Sequence, residues 1–120
     1  MNALRSILFN LVFLPGTALA CLVVLPFGFM SRRAMMAAIL VYMRLLHLAE
    51  RWILGLDYRV LGREHLPAGP CIVAAKHQST WETMKLHLLI HDPAVVLKSE
   101  LSRIPLWGWY AKRAGMIAVE

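Results

Sequence analysis

Acidic residues are scarce in this chain: seven Asp and Glu stand against 13 Lys and Arg, a formal net charge of +6. The deficit is uneven. Residues 1–55 carry Arg5, Arg32, Arg33, Arg44 and Arg51 against Glu50 alone. A positive excess in the apolar half points to anionic lipid headgroups as partners and away from nucleic acid. Cysteine is almost as sparse. Cys21 and Cys71 have no patterned neighbours, which excludes a disulfide framework and a cysteine metal site and is compatible with a reducing compartment. Internal repeats and low-complexity tracts are missing too, which excludes a solenoid. What is plentiful is apolar surface: 59% of residues are hydrophobic and the mean hydropathy is +0.59, a balance suited to membrane association. At 120 residues the chain has room for one domain at most.

Residues 7–30, "ILFNLVFLPGTALACLVVLPFGFM", lack any ionisable side chain but the Cys21 thiol. As a helix they are long enough for a hydrocarbon core about 30 Å thick. Pro15, Gly16, Pro26 and Gly28 make a kinked or re-entrant helix as reasonable as a straight span. Arg5 and "ALAC" (18–21) mimic a signal peptide, yet the apolar run continues past Cys21 to Met30, further than a cleaved signal needs. In residues 34–54, Arg44, His47, Glu50 and Arg51 form a polar stripe on an otherwise apolar helix. The stripe suits an interfacial helix with its basic side chains at the headgroups, the alternative being a core helix with a solvated face. Two full spans would strand Arg32 and Arg33 across the membrane from the rest of the chain. A one-sided helical hairpin over 1–55 avoids that.

From Asp57 the pattern changes to α/β. "DYRVLG" (57–62) and "PCIVAAK" (70–76) are expected as strands, the second buried on both faces, with a turn between them. A helix over 79–91, a strand over 93–99, a helix over 100–115 broken near Pro105 and Gly108, and a strand from 116 complete the series. The alternation predicts an α/β sheet with crossover connections over 56–120. A core of that size is marginal, and an end inside an apolar strand is expected of a fragment with an unfinished sheet.

The chemistry gathers at "KHQSTWE" (76–82). His77 and Glu82 do not share a helical face, but they can meet if His77 stays in the loop and Glu82 enters the first helical turn. The carboxylate would then fix the imidazole tautomer and leave its other nitrogen as a general base. "STWE" is also a capping-box pattern, with Ser79 as cap and Glu82 reaching back to its backbone N–H. The two roles compete for one carboxylate. Other candidates are weaker. Cys71 is roughly 20 Å from His77 along an extended chain, so it cannot form a Cys–His pair within this segment. His87 and His91 lack a third ligand for zinc, His65 sits in a turn, and Ser79 has no G-x-S-x-G elbow.

With these residues in view, the chain resembles the glycerolipid acyltransferases. "GREHLPAGPCIVAAKHQSTWET" (62–83) is similar to the family's first block, the H-x4-D motif with its lead-in, and "LKSELSRIPLWGWYAKRAGMIAVE" (97–120) to the second. Glu82 stands where Asp is usual. The Arg that normally continues the second block, and the third, E-G-T-R-like block, are not within these residues. The resemblance implies an apolar N-terminal helical hairpin followed by the first strands and helices of an acyltransferase-type mixed α/β domain. It implies acyl transfer from acyl-CoA or acyl carrier protein to the free hydroxyl of lysophosphatidate, giving phosphatidate in phospholipid biosynthesis. His77 would be the general base and Glu82 its partner, and Ser79, Lys98, Gly115 and Glu120 would bind substrate. It calls for no metal and no cofactor beyond the acyl donor, and for a membrane location with the active site facing the cytoplasm. Glycerol 3-phosphate or another lysolipid as acceptor, a non-catalytic lipid-binding remnant, and a hydrolase using Ser79 are the rivals.

Overall fold

A computed structural model describes residues 2–120. Helix α1 (Asn2–Met30) and helix α2 (Arg32–Ala49) form an antiparallel hairpin that turns on Ser31. Ser31 caps α2 by accepting the Ala34 N–H at 3.1 Å on its hydroxyl, which satisfies one of the donors a helix start leaves open. Helix α1 runs unbroken through Pro15 and Pro26 for 29 residues, about 43 Å at 1.5 Å per residue. Its segment Ala3–Met30 is long and apolar enough to cross a membrane. Helix α2 ends in a π-helical turn, Glu50–Leu54, closed by Gly55.

The remainder is mixed. Helix α3 (Thr80–Leu89) precedes strand β1 (Val96–Lys98), a 3-10 turn (Ser99–Arg103), helix α4 (Trp107–Ala114) and strand β2 (Ile117–Val119). The strands pair in parallel with Val96 opposite Ile117 and Lys98 opposite Val119. The β1–α4–β2 crossover is therefore the expected α/β unit, in a chain that is mostly helical.

Two expected strands do not form. Residues 57–62 and 70–76 have no regular structure, and Ile72 is 99% exposed instead of buried. An apolar run becomes a strand only where a neighbour supplies its hydrogen-bond ladder, and the parallel pair contains β1 and β2 alone.

The core lies where the hairpin meets α4. Val24, Met35, Met36, Tyr110 and Ala114 are buried together, with Leu25, Ile39 and Trp109 packed around them. Gly28 is required there, because a Cβ at that position would run into the Trp109 ring. Polar staples reinforce the contact. The Tyr110 hydroxyl donates to the Cys21 carbonyl, and Arg113 Nε donates to the Gly28 carbonyl at 3.0 Å. Arg32 grips Asp92 through two bonds of 2.9 and 2.7 Å and also donates to the Ala114 carbonyl. Opposite this contact, α1 exposes an apolar row that includes Leu4, Leu8, Leu11, Leu19 and Leu22.

The polar stripe of α2 is not simply a headgroup-facing edge. Glu50, its one acid, is 2% exposed and is turned inward against α3. The reason is a partner: Lys85 of α3, itself 3% exposed, ion-pairs with it. Arg44 and Arg51 of the same stripe remain exposed.

Candidate active site

Ser79 is the N-cap of α3, with extended backbone, and its hydroxyl accepts the Trp81 N–H at 3.2 Å. That cap starts the helix late enough to leave His77 in the preceding loop while placing Glu82 in the first turn. Glu82 then folds back. Its Oε1 lies 2.7 Å from His77 Nδ1 and accepts the Gln78 N–H at 2.8 Å. The Ser79 N–H reaches both carboxylate oxygens at 2.9 Å, and the Ser79 hydroxyl donates to Oε2 at 2.7 Å. The capping box and the His–Glu contact therefore coexist. A carboxylate has about four acceptor positions, enough for both roles.

The donors have an electrostatic consequence. The Ser79 backbone N–H, then its hydroxyl, and then the Gln78 N–H hold the Glu82 carboxyl far below the usual carboxylate range. Glu82 is thus an acceptor only, so His77 Nδ1 must carry the hydrogen in their contact. The Nε2 lone pair is left free in the neutral ring. The His77 side chain is 76% exposed, and no hydrogen bond to that nitrogen is present among the described residues.

A second cluster, unforeseen in the sequence, fixes α3. Glu50 Oε2 accepts from Lys85 Nζ and from Trp81 Nε1, the latter at 3.2 Å. His47 Nδ1 stands 3.6 Å from the same oxygen and 3.4 Å from Lys85 Nζ. Tyr58 closes the cluster, its ring 4.9 Å from His47 and edge-on to Trp81 at 5.9 Å. Trp81 and Lys85 are four apart on α3, and His47 near the end of α2 is three residues before Glu50, the first residue of the π-helical turn that continues it, so each pair shares a face. The sequence signal was the lone acid in the first 55 residues, which has to find a cation if it is buried.

The remaining candidate residues lie apart. Lys98 ends β1 and Glu120 follows β2, both exposed, at the carboxyl end of the parallel pair. Ligands of open α/β sheets gather at that end. Gly115 has φ +81 and terminates α4, a left-handed stop that suits glycine. No hydrogen bond among the described residues joins Lys98, Gly115 or Glu120 to the His77 cluster. His87 is buried and points Nδ1 at the Thr83 carbonyl, 3.2 Å away.

Against known proteins, residues 57–120 match the acyltransferase family model. The chain is 40% identical over 70 residues to a 1-acyl-sn-glycerol-3-phosphate acyltransferase of Pseudomonas aeruginosa, covering 58% of this chain and 27% of that protein. It is 36% identical over 64 residues to a protein of the same name from Saccharomyces cerevisiae, covering 52% of this chain and 21% of the relative. The chain thus matches about a quarter of the length of these relatives. No solved structure gives a significant match.

Proposed function

The chain belongs to the acyltransferase family, and from that premise we propose that it serves the transfer of a fatty acyl group from a thioester to the free hydroxyl of lysophosphatidate. The donor is acyl-CoA or acyl carrier protein and the product phosphatidate. The observation that carries this reading is the anchored carboxylate of Glu82 at His77 Nδ1, with Nε2 unengaged. His77 Nε2 takes the proton of the acceptor hydroxyl as its oxygen attacks the thioester carbonyl. The tetrahedral adduct collapses, the C–S bond breaks, and the imidazolium returns its proton to the departing thiolate. Glu82 stabilises the imidazolium between these events, and its position is set by the helix cap. No acyl-enzyme is formed. The chemistry calls for a base and the acyl donor, with no further cofactor.

In this reading Lys98, opposite Val119 at the sheet end and so near Glu120, offers a positive charge for the acceptor phosphate, and Ser79 and Gly115 take the further substrate-binding roles that the family resemblance implies. The outer apolar row of α1 enters one leaflet. Because α2 is tied to the α/β part near both ends, through Arg32 and Asp92 and through Glu50 and Lys85, the hairpin lies alongside that part. A one-sided attachment at the cytoplasmic face then presents His77 to a lipid acceptor from the bilayer and a thioester from the cytosol.

The test is His77→Ala in the full-length protein, assayed with acyl-CoA and lysophosphatidate. Turnover should fall by about 10²–10⁴, the range of a lost general base, with helicity and membrane recovery unchanged. Undiminished turnover refutes the assignment of the base. Phosphatidate formation that is outpaced by acylation of glycerol 3-phosphate would move the acceptor, and release of free fatty acid alone would replace the transferase with a hydrolase.

A further inference from the structure

Two concavities flank α2. On one side, a groove of about 720 Å³ runs between α1 and α2 from Phe27 and Ala34 to Val12 and Ala49. Its lining is almost wholly apolar, with Phe13, Phe27 and Tyr42 among the aliphatic side chains and Gly16, Ala20 and Ala38 leaving room between the helices. On the other side, α2 and the end of α3 enclose a pocket of about 760 Å³. Met36, Leu40 and Leu88 contribute its apolar part, and Arg33, Arg44, Arg63 and His91 its exposed polar part. Arg32 and Asp92, also on its wall, satisfy each other. Arg33, Arg44 and Arg63 have no ion pair among the described residues. Three like charges around one concavity repel each other unless an anion fills it.

Ala37 lines both concavities, and it is exposed. Ala37 has the smallest side chain after glycine, so at that point the basic pocket and the apolar groove meet across the surface of α2 with nothing bulkier than a methyl group contributed by that residue. We propose that the two form one site for a resident anionic bilayer phospholipid, its phosphate among Arg33, Arg44 and Arg63 and one acyl chain crossing α2 at Ala37 into the groove. Dimensions agree. From Ala37, where the chain would enter, to Ala49 the groove follows α2 for about 18 Å at 1.5 Å per residue, against about 15 Å for one leaflet of a 30 Å hydrocarbon core. Basic pockets beside membrane helices take phosphate headgroups for the same electrostatic reason. The pocket is not the acceptor site of the reaction above. It abuts His87 to Ile90, whereas His77 precedes the opposite end of α3, a helix of ten residues or about 15 Å.

The experiment is lipid retention by the purified full-length protein in neutral detergent, counted by native mass spectrometry. Phosphatidylglycerol, phosphatidylcholine of the same chains, and glycerol phosphate are titrated in parallel. One phosphatidylglycerol per chain should be retained in preference to phosphatidylcholine. Arg33→Gln with Arg44→Gln should weaken it about 30-fold, the factor for two basic side chains near an anionic headgroup, while Lys at both positions should largely preserve it. Ala37→Phe should weaken phosphatidylglycerol and leave glycerol phosphate unchanged. Equal retention of phosphatidylcholine, or indifference to the Gln pair, overturns the site. Glycerol phosphate bound as tightly as the lipid, with no effect of Ala37→Phe, would reduce it to a free-phosphate site and overturn the lipid assignment. These Arg side chains are exposed, so the variants should fold, and an unchanged thermal melt checks this.

Discussion

Removing one member of the Glu50–Lys85 pair should destabilise the protein far more than removing both. The two side chains are 2% and 4% exposed, and Glu50 Oε2 receives Lys85 Nζ and Trp81 Nε1 together. Lys85→Met leaves the Glu50 carboxylate with Trp81 as its one remaining close donor, and Glu50→Leu leaves a buried ammonium facing His47. Breaking a buried pair from one side costs about 3–5 kcal/mol, because the surviving charge has been taken out of water without its partner. Replacing both with apolar groups of similar volume removes that penalty, and the double variant should fall within about 1 kcal/mol of the parent. The coupling, obtained as the double effect minus the two single effects, should therefore be several kcal/mol in magnitude and favour the double replacement. Chemical denaturation of the full-length protein and its three variants in one detergent gives the cycle. Acyl transfer adds a second readout, since Lys85 sits on the helix whose first turn holds Glu82. Single variants costing less than about 1 kcal/mol each, and summing in the double, would refute the claim that this pair is desolvated and coupled.

Ser79→Ala removes the hydroxyl that both caps α3 and donates to Glu82, so it should cost about 0.5–2 kcal/mol in a denaturant melt and lower kcat as well; Ser79→Asn should restore the cap. Glu82 has a depressed folded-state pKa, so its contribution is complete above the ordinary Glu value and is lost only as pH falls through the lower, folded-state value. Across pH 5 to 9 it therefore stays ionised and should add no proton uptake of its own to the acid limb of kcat/KM; two coupled protonations on that limb would contradict the anchored carboxylate. Leu106 holds φ +63 in a tight turn where the Trp107 N–H bonds the Pro105 carbonyl at 2.6 Å. Leu106→Gly should relieve about 1 kcal/mol of that strain and raise the melting temperature; a fall would show that the leucine side chain outweighs the backbone.

Local signals carried the sequence furthest. Ser79 through Glu82 announces a helix start within four residues, and the structure begins α3 at Thr80. Gly115 similarly closes α4, and the β1–α4–β2 crossover follows from apolar runs separated by a helix. Legibility failed where the outcome depends on a partner distant in the chain. "PCIVAAK" has the residues of a strand, but its ladder depends on what lies beside it, and Ile72 is exposed. The α2 stripe was readable as amphipathic, yet whether Glu50 meets headgroups or Lys85 is decided 35 residues further on. The competition foreseen between cap and imidazole disappears for a geometric reason. Two carboxylate oxygens can take the Ser79 N–H together while one of them also faces His77.

On the proposed attachment to one leaflet, the same network links membrane depth to the candidate base. Helix α2 spans about 27 Å between Arg32 and Glu50, and each of these residues holds a different part of the α/β unit, Asp92 and Lys85 respectively. Two attachments so far apart leave the hairpin little freedom to pivot against α3. On the proposed one-sided attachment, the height of His77 above the leaflet is then set by how deeply the outer row of α1 is buried. Loosening either attachment while sparing His77 and Glu82 should consequently raise KM for a bilayer-borne acceptor more than for the same acceptor with a short, water-soluble chain. Asp92→Asn is the cleaner perturbation, because Arg32 and Asp92 are each 42% exposed and their pair contributes only about 0–1 kcal/mol to stability. Equal changes in KM for the two acceptors would show that the hairpin serves attachment alone and leaves the height of the site to other contacts.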